Sequence, residues 1–366
     1  MSNAPILIIG TGVSGLSLAH GLNKANIPFR LFERDPSFDV RAQGYRVRID
    51  HIGSKALQET LPSDLFAQVR NTCAPFLPGG ARLDARSAEA LQGGGGPPPP
   101  GKGEAEPLSA DRTVLRRVLM RGLEAHIAFG KRFVEYEITA GGVKVRFSDG
   151  TEVEGSLLVG ADGAKSAVRR QFLPELRPVD VEGRLIYGKT PLTPELEEKF
   201  DKRAMGASQR CATPPTPTPD VLGITDAELL GLSTEEAAAL ARKLTADWHP
   251  SLRILFTLQD ATQTSALALS SVKPEIHRWE PSERVTCIGD SIHGMLPAAG
   301  IGANTALRDA ALLSKTLADK GRSAEAIGSY EAAMREYAGQ AVAMSHMGGK
   351  HLFGMKAFEE LKPATL

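Results

Sequence analysis

The sequence carries no excess of either charge: 43 Lys and Arg offset 43 Asp and Glu over 366 residues. A dominant role on nucleic acid or on an anionic membrane surface calls for a basic excess. Cysteine is scarce. Cys73, Cys211 and Cys287 are odd in number and far apart, and no pair has the spacing of a metal site or a redox motif. They read as thiols of a reducing compartment, so the expectation is a cytoplasmic protein without a metal centre. There is no apolar run of roughly eighteen residues, the length a bilayer span needs. The run Ile6–Ile9 is too short for a signal-peptide core and leads straight into glycines. His346 and His351 have no third candidate ligand nearby, and no internal repeat is visible. Glycine and proline, 37 and 24 residues, fall short of a composition that implies wholesale disorder.

What is present is an α/β pattern, long enough for two domains or one large domain with insertions. Ile6–Ile9 reads as a buried parallel strand, followed at once by Gly10-Thr11-Gly12-Val13-Ser14-Gly15. Leu16, Ala19 and Leu22 recur at helical spacing, and the helix should end before Pro28. Phe29–Phe32 is a second strand, closed by Glu33. This strand, glycine turn, helix, strand and acid make the dinucleotide-binding unit in its required context. Gly10 permits the tight turn, Gly12 lets the backbone approach a pyrophosphate, and Gly15 lets helix and strand pack closely. The first helical turn, with Val13 and Ser14, presents N–H groups and a partial positive charge to the phosphates. Glu33 stands where a carboxylate can accept hydrogen bonds from the adenosine ribose.

Residues 45–49 read as a short strand on which Arg46 and Arg48 share a face. Weak helical patterning covers 54–69, and 71–106 is irregular, with four glycines and four prolines in Gly93–Pro100. Asp111 can cap a helix whose apolar face includes Leu115, Val118 and Leu119. Strand-like pieces at 132–139, 143–147 and 151–154 are separated by Gly141-Gly142 and Asp149-Gly150 turns. Leu157–Gly160 and Val285–Ile288 are again continuous apolar strands, each running into an acid, Asp162 and Asp290. A helical region follows Asn304 to about Met344, with one break near Lys320–Ser323.

Four separated motifs resemble the FAD-dependent aromatic-hydroxylase-like monooxygenases, the family typified by para-hydroxybenzoate hydroxylase. They are Gly10–Gly15 with Glu33; Arg112-Thr113-Val114-Leu115; the segment from Gly160 through Asp162-Gly163 to Arg169; and Gly289-Asp290 through His293 to Pro297, followed by Gly300-Ile301-Gly302-Ala303-Asn304. The resemblance implies an α/β chain with a Rossmann-like FAD-binding domain of the glutathione-reductase type (1–75, 108–182 and 281–345). It also implies a smaller, truncated β-rich substrate domain with a lid loop (76–107 and 183–280), C-terminal helices and a tail at 346–366. It further implies that Arg34, Arg46, Arg48 and Arg112 approach the FAD beside Glu33, and that Asp290 hydrogen-bonds its ribityl chain. Asp162 would serve flavin or nicotinamide binding, or only the strand-end turn. Pro297 would shape the loop under the ring, with Gly300, Gly302, Ala303 and Asn304 opening a helix toward the pyrophosphate or flavin edge. His293 would sit near the flavin without acting as a base.

The implied chemistry is reduction of non-covalent FAD by NADPH or NADH and trapping of O2 as a flavin C4a-hydroperoxide. That species would hydroxylate, epoxidise or Baeyer–Villiger-oxidise a small aromatic, polyketide-like or alkaloid-like molecule. No substrate base stands out. Arg184 and Tyr187, three apart on one strand, point to different faces, so at most one need line the pocket. The family's middle sheet has more strands than residues 190–265 suggest, which leaves a second reading: an FAD-binding protein with lost or altered catalysis. An NAD-dependent dehydrogenase shares the fold start but not the fourth motif. The motifs leave the oligomeric state open.

Overall fold

The computed structural model describes residues 4–38, 46–75, 81–91, 106–204, 211–212 and 223–364. The Gly93–Pro100 segment, Tyr45 and all but the first residue of the proline-rich 212–220 stretch lie outside the described residues, as does most of the expected lid loop.

Strand β1 (Ile6–Ile9) is buried along its whole length, as a continuous apolar run must be in a parallel sheet covered on both faces. It sits at the centre of a five-stranded parallel sheet. On one side lie β2 (Phe29–Phe32) and β8 (Ile127–Ala128); on the other lie β12 (Leu157–Gly160) and β16 (Val285–Cys287). Register aligns the strand ends: Ile9 is level with Phe32 and with Gly160, and Gly160 with Cys287. The residues that follow each strand, Gly10, Glu33, Ala161-Asp162 and Gly289-Asp290, therefore gather at one carboxyl edge. Open α/β sheets bind ligands at such an edge.

Helices α1 (Val13–Lys24), α2 (His51–Thr60) and α11 (Gly302–Lys320) pack together over the sheet. A three-stranded antiparallel sheet, β9 (Phe133–Ile138), β10 (Val143–Phe147) and β11 (Glu152–Gly155), joins the same core, with the Phe147 ring 4.7 Å from Phe32. The stretch 54–69 splits into α2 and α3 (Ser63–Asn71), because Pro62 cannot continue the first helix. Asp111 caps α4 (Arg112–Met120), accepting from the Thr113 and Val114 N–H groups. The irregular 71–106 stretch contributes short pieces. Strand β4 (Ala74–Pro75) pairs with β7 (Leu108–Asp111), which also pairs with β3 (Arg46–Ile49); β5 (Arg82–Asp84) pairs with β6 (Ala90–Leu91) and β14 (Cys211–Ala212). A short α5 (Ala167–Phe172) follows β12.

The second region is built on a two-stranded antiparallel ribbon, β13 (Val179–Lys189) and β15 (Asp260–Ser271). Between them, apart from β14, the described elements are helical: α6 (Pro194–Lys199), α7 (Asp226–Leu230), α8 (Thr234–Leu244) and α9 (Pro250–Thr257). Helix α8 packs on β15. The apolar run 254–256 belongs to α9, and 266–269 to the centre of β15.

After α10 (Asp290–His293) and α11, the chain breaks at Gly321, φ 72°, and re-enters α12 (Ala324–Phe353) under a Ser323 cap. Helix α12 runs past the expected end near Met344. Gly348 and Gly349 let it close on the loop after α10: a Cβ at Gly349 would stand 2.7 Å from the Leu296 side chain. No helix among the described residues is long and apolar enough to cross a membrane.

Candidate functional site

Gly10 leaves β1 with φ +108°, a conformation closed to side chains, and a Cβ there would lie 2.3 Å from the Ala161 carbonyl oxygen. Gly15 faces the same turn from the helix, where a Cβ would lie 2.2 Å from the Gly10 carbonyl oxygen. Gly12 differs from both: its φ is −71° and nothing stands within 4 Å of a Cβ built on it. No packing contact within the protein requires a glycine at that point. No side chain caps the start of α1, although Val13 and Ser14 are buried there, so its first N–H groups remain available to an anion.

Glu33 is held rigidly beside this turn. Its Oε2 accepts from the Thr11 N–H at 3.1 Å and the Thr11 hydroxyl at 2.6 Å. Arg116 braces the same pair: its Nε donates to the Thr11 carbonyl at 2.8 Å, and its Nη2 to the Thr11 hydroxyl at 2.8 Å and to Oε2 at 3.4 Å. Oε1 accepts from the Asp35 N–H at 3.2 Å and keeps acceptor capacity. Arg116 was not singled out in the sequence; its only signal is its place one turn after Arg112 on α4.

A second anchor forms at the end of β16. Gly289 turns with φ +64° and donates its N–H to Asp309 Oδ2 at 2.6 Å. His293 Nε2 lies 2.6 Å from the same oxygen, and the Tyr337 hydroxyl donates to Oδ1 at 2.6 Å. Burial pushes the imidazole down, but the facing Asp309 and nearby Asp290 reverse this, and His293 stands above its ordinary value. His293 is fully buried, so its role is to tie the Gly289-Asp290 turn to α11 and α12, while Asp290 itself stays exposed. Asp309 was likewise missed, lying inside a long helical run with no local signal.

The two anchors open into one cleft of about 1080 Å³. Its wall includes Gly10, Gly12, Glu33, Arg34, Arg112, Arg116, Asp162, Asp290 and Pro297, and it continues along β15 past Tyr187. Asp162 closes the strand-end turn and also reaches the cleft wall. Its Oδ2 accepts from the Ala167 N–H at 2.8 Å at the start of α5, whereas Oδ1 is buried at the cleft with no partner. Burial pushes this carboxyl up.

Other predicted residues stand outside this wall. Arg46 and Arg48 lie on β3, and Asn304 ties that strand to α11: its Oδ1 accepts from the Asp50 N–H at 3.0 Å and its Nδ2 donates to the Arg48 carbonyl at 3.0 Å. The Asn304 side chain is thus committed, leaving the backbone of the helix start. Gly300, with φ +65°, precedes that start, Gly302 and Ala303 form its first turn, and no side chain caps it. Arg184 is removed from the pocket. It donates to Asp180 at 2.8–2.9 Å and to Asp226, joining β13 to α7, while Tyr187 on the same strand reaches the wall. The three-residue offset on an extended strand separates them.

Residues 231–345 match the FAD binding domain family. Over its whole fold the chain is similar to a solved Photorhabdus luminescens structure described as an FAD-containing monooxygenase: 30% identity, TM-score 0.80, covering 96% of this chain and 99% of that one. The chain belongs to the FAD-dependent, aromatic-hydroxylase-like monooxygenases. Its relatives include the dual O-methyltransferase/FAD-dependent monooxygenase elcB of Phaeosphaeria nodorum, 35% identical over 99% of this chain and 47% of that protein. Another is the dual O-methyltransferase/FAD-dependent monooxygenase CTB3 of Cercospora beticola, 34% identical over 96% of this chain and 46% of that protein. The chain spans about half the length of these two relatives. A member of this family needs a groove for an extended cofactor, and the residues of this chain fit one: the open position at Gly12, two uncapped helix starts and the orphaned Asp162 oxygen.

Proposed function

We propose that this monooxygenase uses NADPH or NADH and O2 to hydroxylate, epoxidise or Baeyer–Villiger-oxidise a small aromatic, polyketide-like or alkaloid-like substrate on non-covalently held FAD. The observation that carries the reading is the single cleft joining the Gly10–Gly15 turn and Asp290 to the wall of β15. Gly10, Gly12, Val13, Ser14 and Gly15 receive the pyrophosphate, the uncapped N–H groups of α1 supplying the positive end of the helix. Glu33, locked by Thr11 and Arg116, accepts from the adenosine ribose, with Arg34 and Arg112 beside it. Asp290 takes the ribityl hydroxyls. Pro297 and the backbone of Gly300, Gly302, Ala303 and Asn304 border the flavin, with Arg46 and Arg48 behind them on β3. Bound FAD supplies the redox chemistry, passing reducing equivalents from the nicotinamide to O2. The polypeptide orients the substrate against the flavin edge and excludes water, with Tyr187 as a wall residue of the substrate end.

The test is anaerobic flavin reduction of the FAD-loaded protein by NADPH and by NADH, with and without a panel of phenols and indoles. Acceleration by one compound class is expected, followed in air by a product heavier by one oxygen atom. Protein that holds FAD but shows no substrate-stimulated NAD(P)H oxidation with any compound would favour a non-catalytic flavoprotein.

A further inference from the structure

The cleft wall that follows α10 rests on a different core from the rest of the cofactor frame. The parallel sheet packs into the main apolar core with residues of α1, α2 and α11. Met295, Leu296 and Ala298 belong instead to a second cluster. There Val179 and Val181 of β13 meet Val342 of α12 and Met355, Phe358 and Leu361 from the segment after it. Gly354, with φ +63°, ends α12 and turns the chain back. Residues 355–364 then cross the root of the β13–β15 ribbon. The Asp180 N–H donates to the Lys362 carbonyl at 2.8 Å, the Ala364 N–H to the Pro178 carbonyl at 2.9 Å, and Val179 bridges Pro363. Lys356 Nζ lies 2.6 Å from Glu182 Oε2. Glu182 has φ +59°, a conformation few side chains adopt, where β13 bulges. The wall loop is gripped from the same side: the Ser345 hydroxyl donates to the Leu296 carbonyl at 2.6 Å, and the Val272 N–H to the Gly294 carbonyl at 2.8 Å. In front of this cluster Leu269, Met295 and Pro297 line the cleft. The Met295 thioether stands at the start of α11, where a Cβ on Gly302 would lie 3.4 Å from its Cγ.

We infer that residues 355–364 form a positioning strap for the flavin end of the cleft, in which Phe358 and Leu361, with Ser345 of α12, hold Met295 and Pro297 in the wall without touching the cofactor. This inference rests on the cofactor reading above and deepens it. Phe358 and Leu361 are buried and line no part of the cleft; they fill the cluster that backs Leu296. Protein interiors are close-packed, so deleting such a ring leaves a void into which its neighbours shift only in part. The loop at Leu296 is the neighbour that carries the cleft wall. The strap is itself fastened to α12, the His346 ring standing 4.0 Å from the Phe358 ring and its Nε2 3.2 Å from the Lys356 carbonyl oxygen. The adenosine end of the cleft is built from Gly10, Thr11, Glu33 and Arg116, none of which belongs to this cluster. A change in the strap therefore reaches one end of the cleft and spares the other.

The experiment uses the full chain. Apoprotein is titrated with FAD and, separately, with ADP, which can fill only the Gly10–Gly15 and Glu33 end, and the absorption band of the bound flavin is recorded. Phe358→Ala is expected to weaken FAD about tenfold, to leave ADP affinity within about twofold of the wild type, and to move the flavin band toward that of free FAD. Phe358→Leu, which keeps most of the apolar volume, is expected to restore all three. A merely structural role would lower the urea midpoint and leave the FAD-to-ADP ratio and the band where they were. If Phe358→Ala does not fold, Ser345→Ala decides: it takes one hydroxyl from the Leu296 carbonyl and is expected to move the flavin band with ADP binding unchanged. FAD and ADP weakening in parallel, or a wild-type flavin band in every variant that folds, overturns the strap and leaves the cofactor reading standing. Wild-type protein that takes up no FAD overturns both.

Discussion

The three glycines of the first turn do different physical work, and substituting them separately shows which one serves the cofactor. Gly12→Ala adds a methyl group where the fold has no atom within 4 Å and where φ, at −71°, suits any residue. The apoprotein should therefore keep its stability or gain up to ~1 kcal/mol from the stiffer unfolded chain. Gly15→Ala places its Cβ 2.2 Å from the Gly10 carbonyl oxygen, a backbone atom that cannot step aside. Overpacking of this kind costs ~1–3 kcal/mol. For FAD the order reverses in cause. In the proposed placement of FAD the Gly12 methyl group would occupy the approach of the pyrophosphate; if it displaces one or two charge-assisted hydrogen bonds from the start of α1, at ~1.5–3 kcal/mol each, affinity falls about ten- to a hundredfold or more. Urea unfolding of both apoproteins and FAD titration by fluorescence quenching separate the two effects. The reasoning is refuted if Gly12→Ala destabilises the apoprotein as much as Gly15→Ala, or if it binds FAD as tightly as the wild type.

Other consequences are as direct. Asp290→Ala should lower FAD occupancy with little loss of fold stability, since the side chain is exposed in the cleft wall; full flavin content in the purified variant would remove Asp290 from the site. Arg184→Ala should cost about 1 kcal/mol of stability by releasing Asp180 and Asp226, and it should leave FAD affinity and substrate binding unchanged; a selective loss of substrate binding would return Arg184 to the pocket. Burial lifts the Glu331 carboxyl to about 7, although Thr286 donates to its Oε1 at 2.9 Å. Between the unfolded value of ~4.3 and that point the folded chain holds the extra proton, so this group loses stability as pH rises. Glu331→Gln should flatten the fall in urea midpoint between about pH 5 and about pH 8, by no more than ~3 kcal/mol; an unchanged pH slope would contradict the assignment.

Much of the cofactor frame was legible because its signals are local. A continuous apolar run, a turn that needs positive φ and an acid at the next strand end each act over a few residues, and Gly10, Glu33 and Asp290 all stand at the carboxyl edge where those signals put them. Asp111 is the helix cap its position suggested. The readings that changed depended on partners far along the chain. Arg116 and Asp309 look like ordinary helix residues until Thr11, 105 residues away from Arg116, and Gly289, 20 residues away from Asp309, are brought to them. Arg184 carried the same sequence signal as Tyr187, and only Asp226, 42 residues on, drew it aside. Helix α12 outran its expected end because Leu296 and Ala298 offer a surface that Gly348 and Gly349 can approach.

By itself the sequence determined the parallel strands, the glycine turns and the acids that close them, since backbone geometry and short-range burial impose those on the residues directly. The tertiary structure alone decided which charged side chains face the cleft and which are consumed in pairs. It did so because strand register and helix packing bring together residues whose separation in the chain carries no trace of their contact.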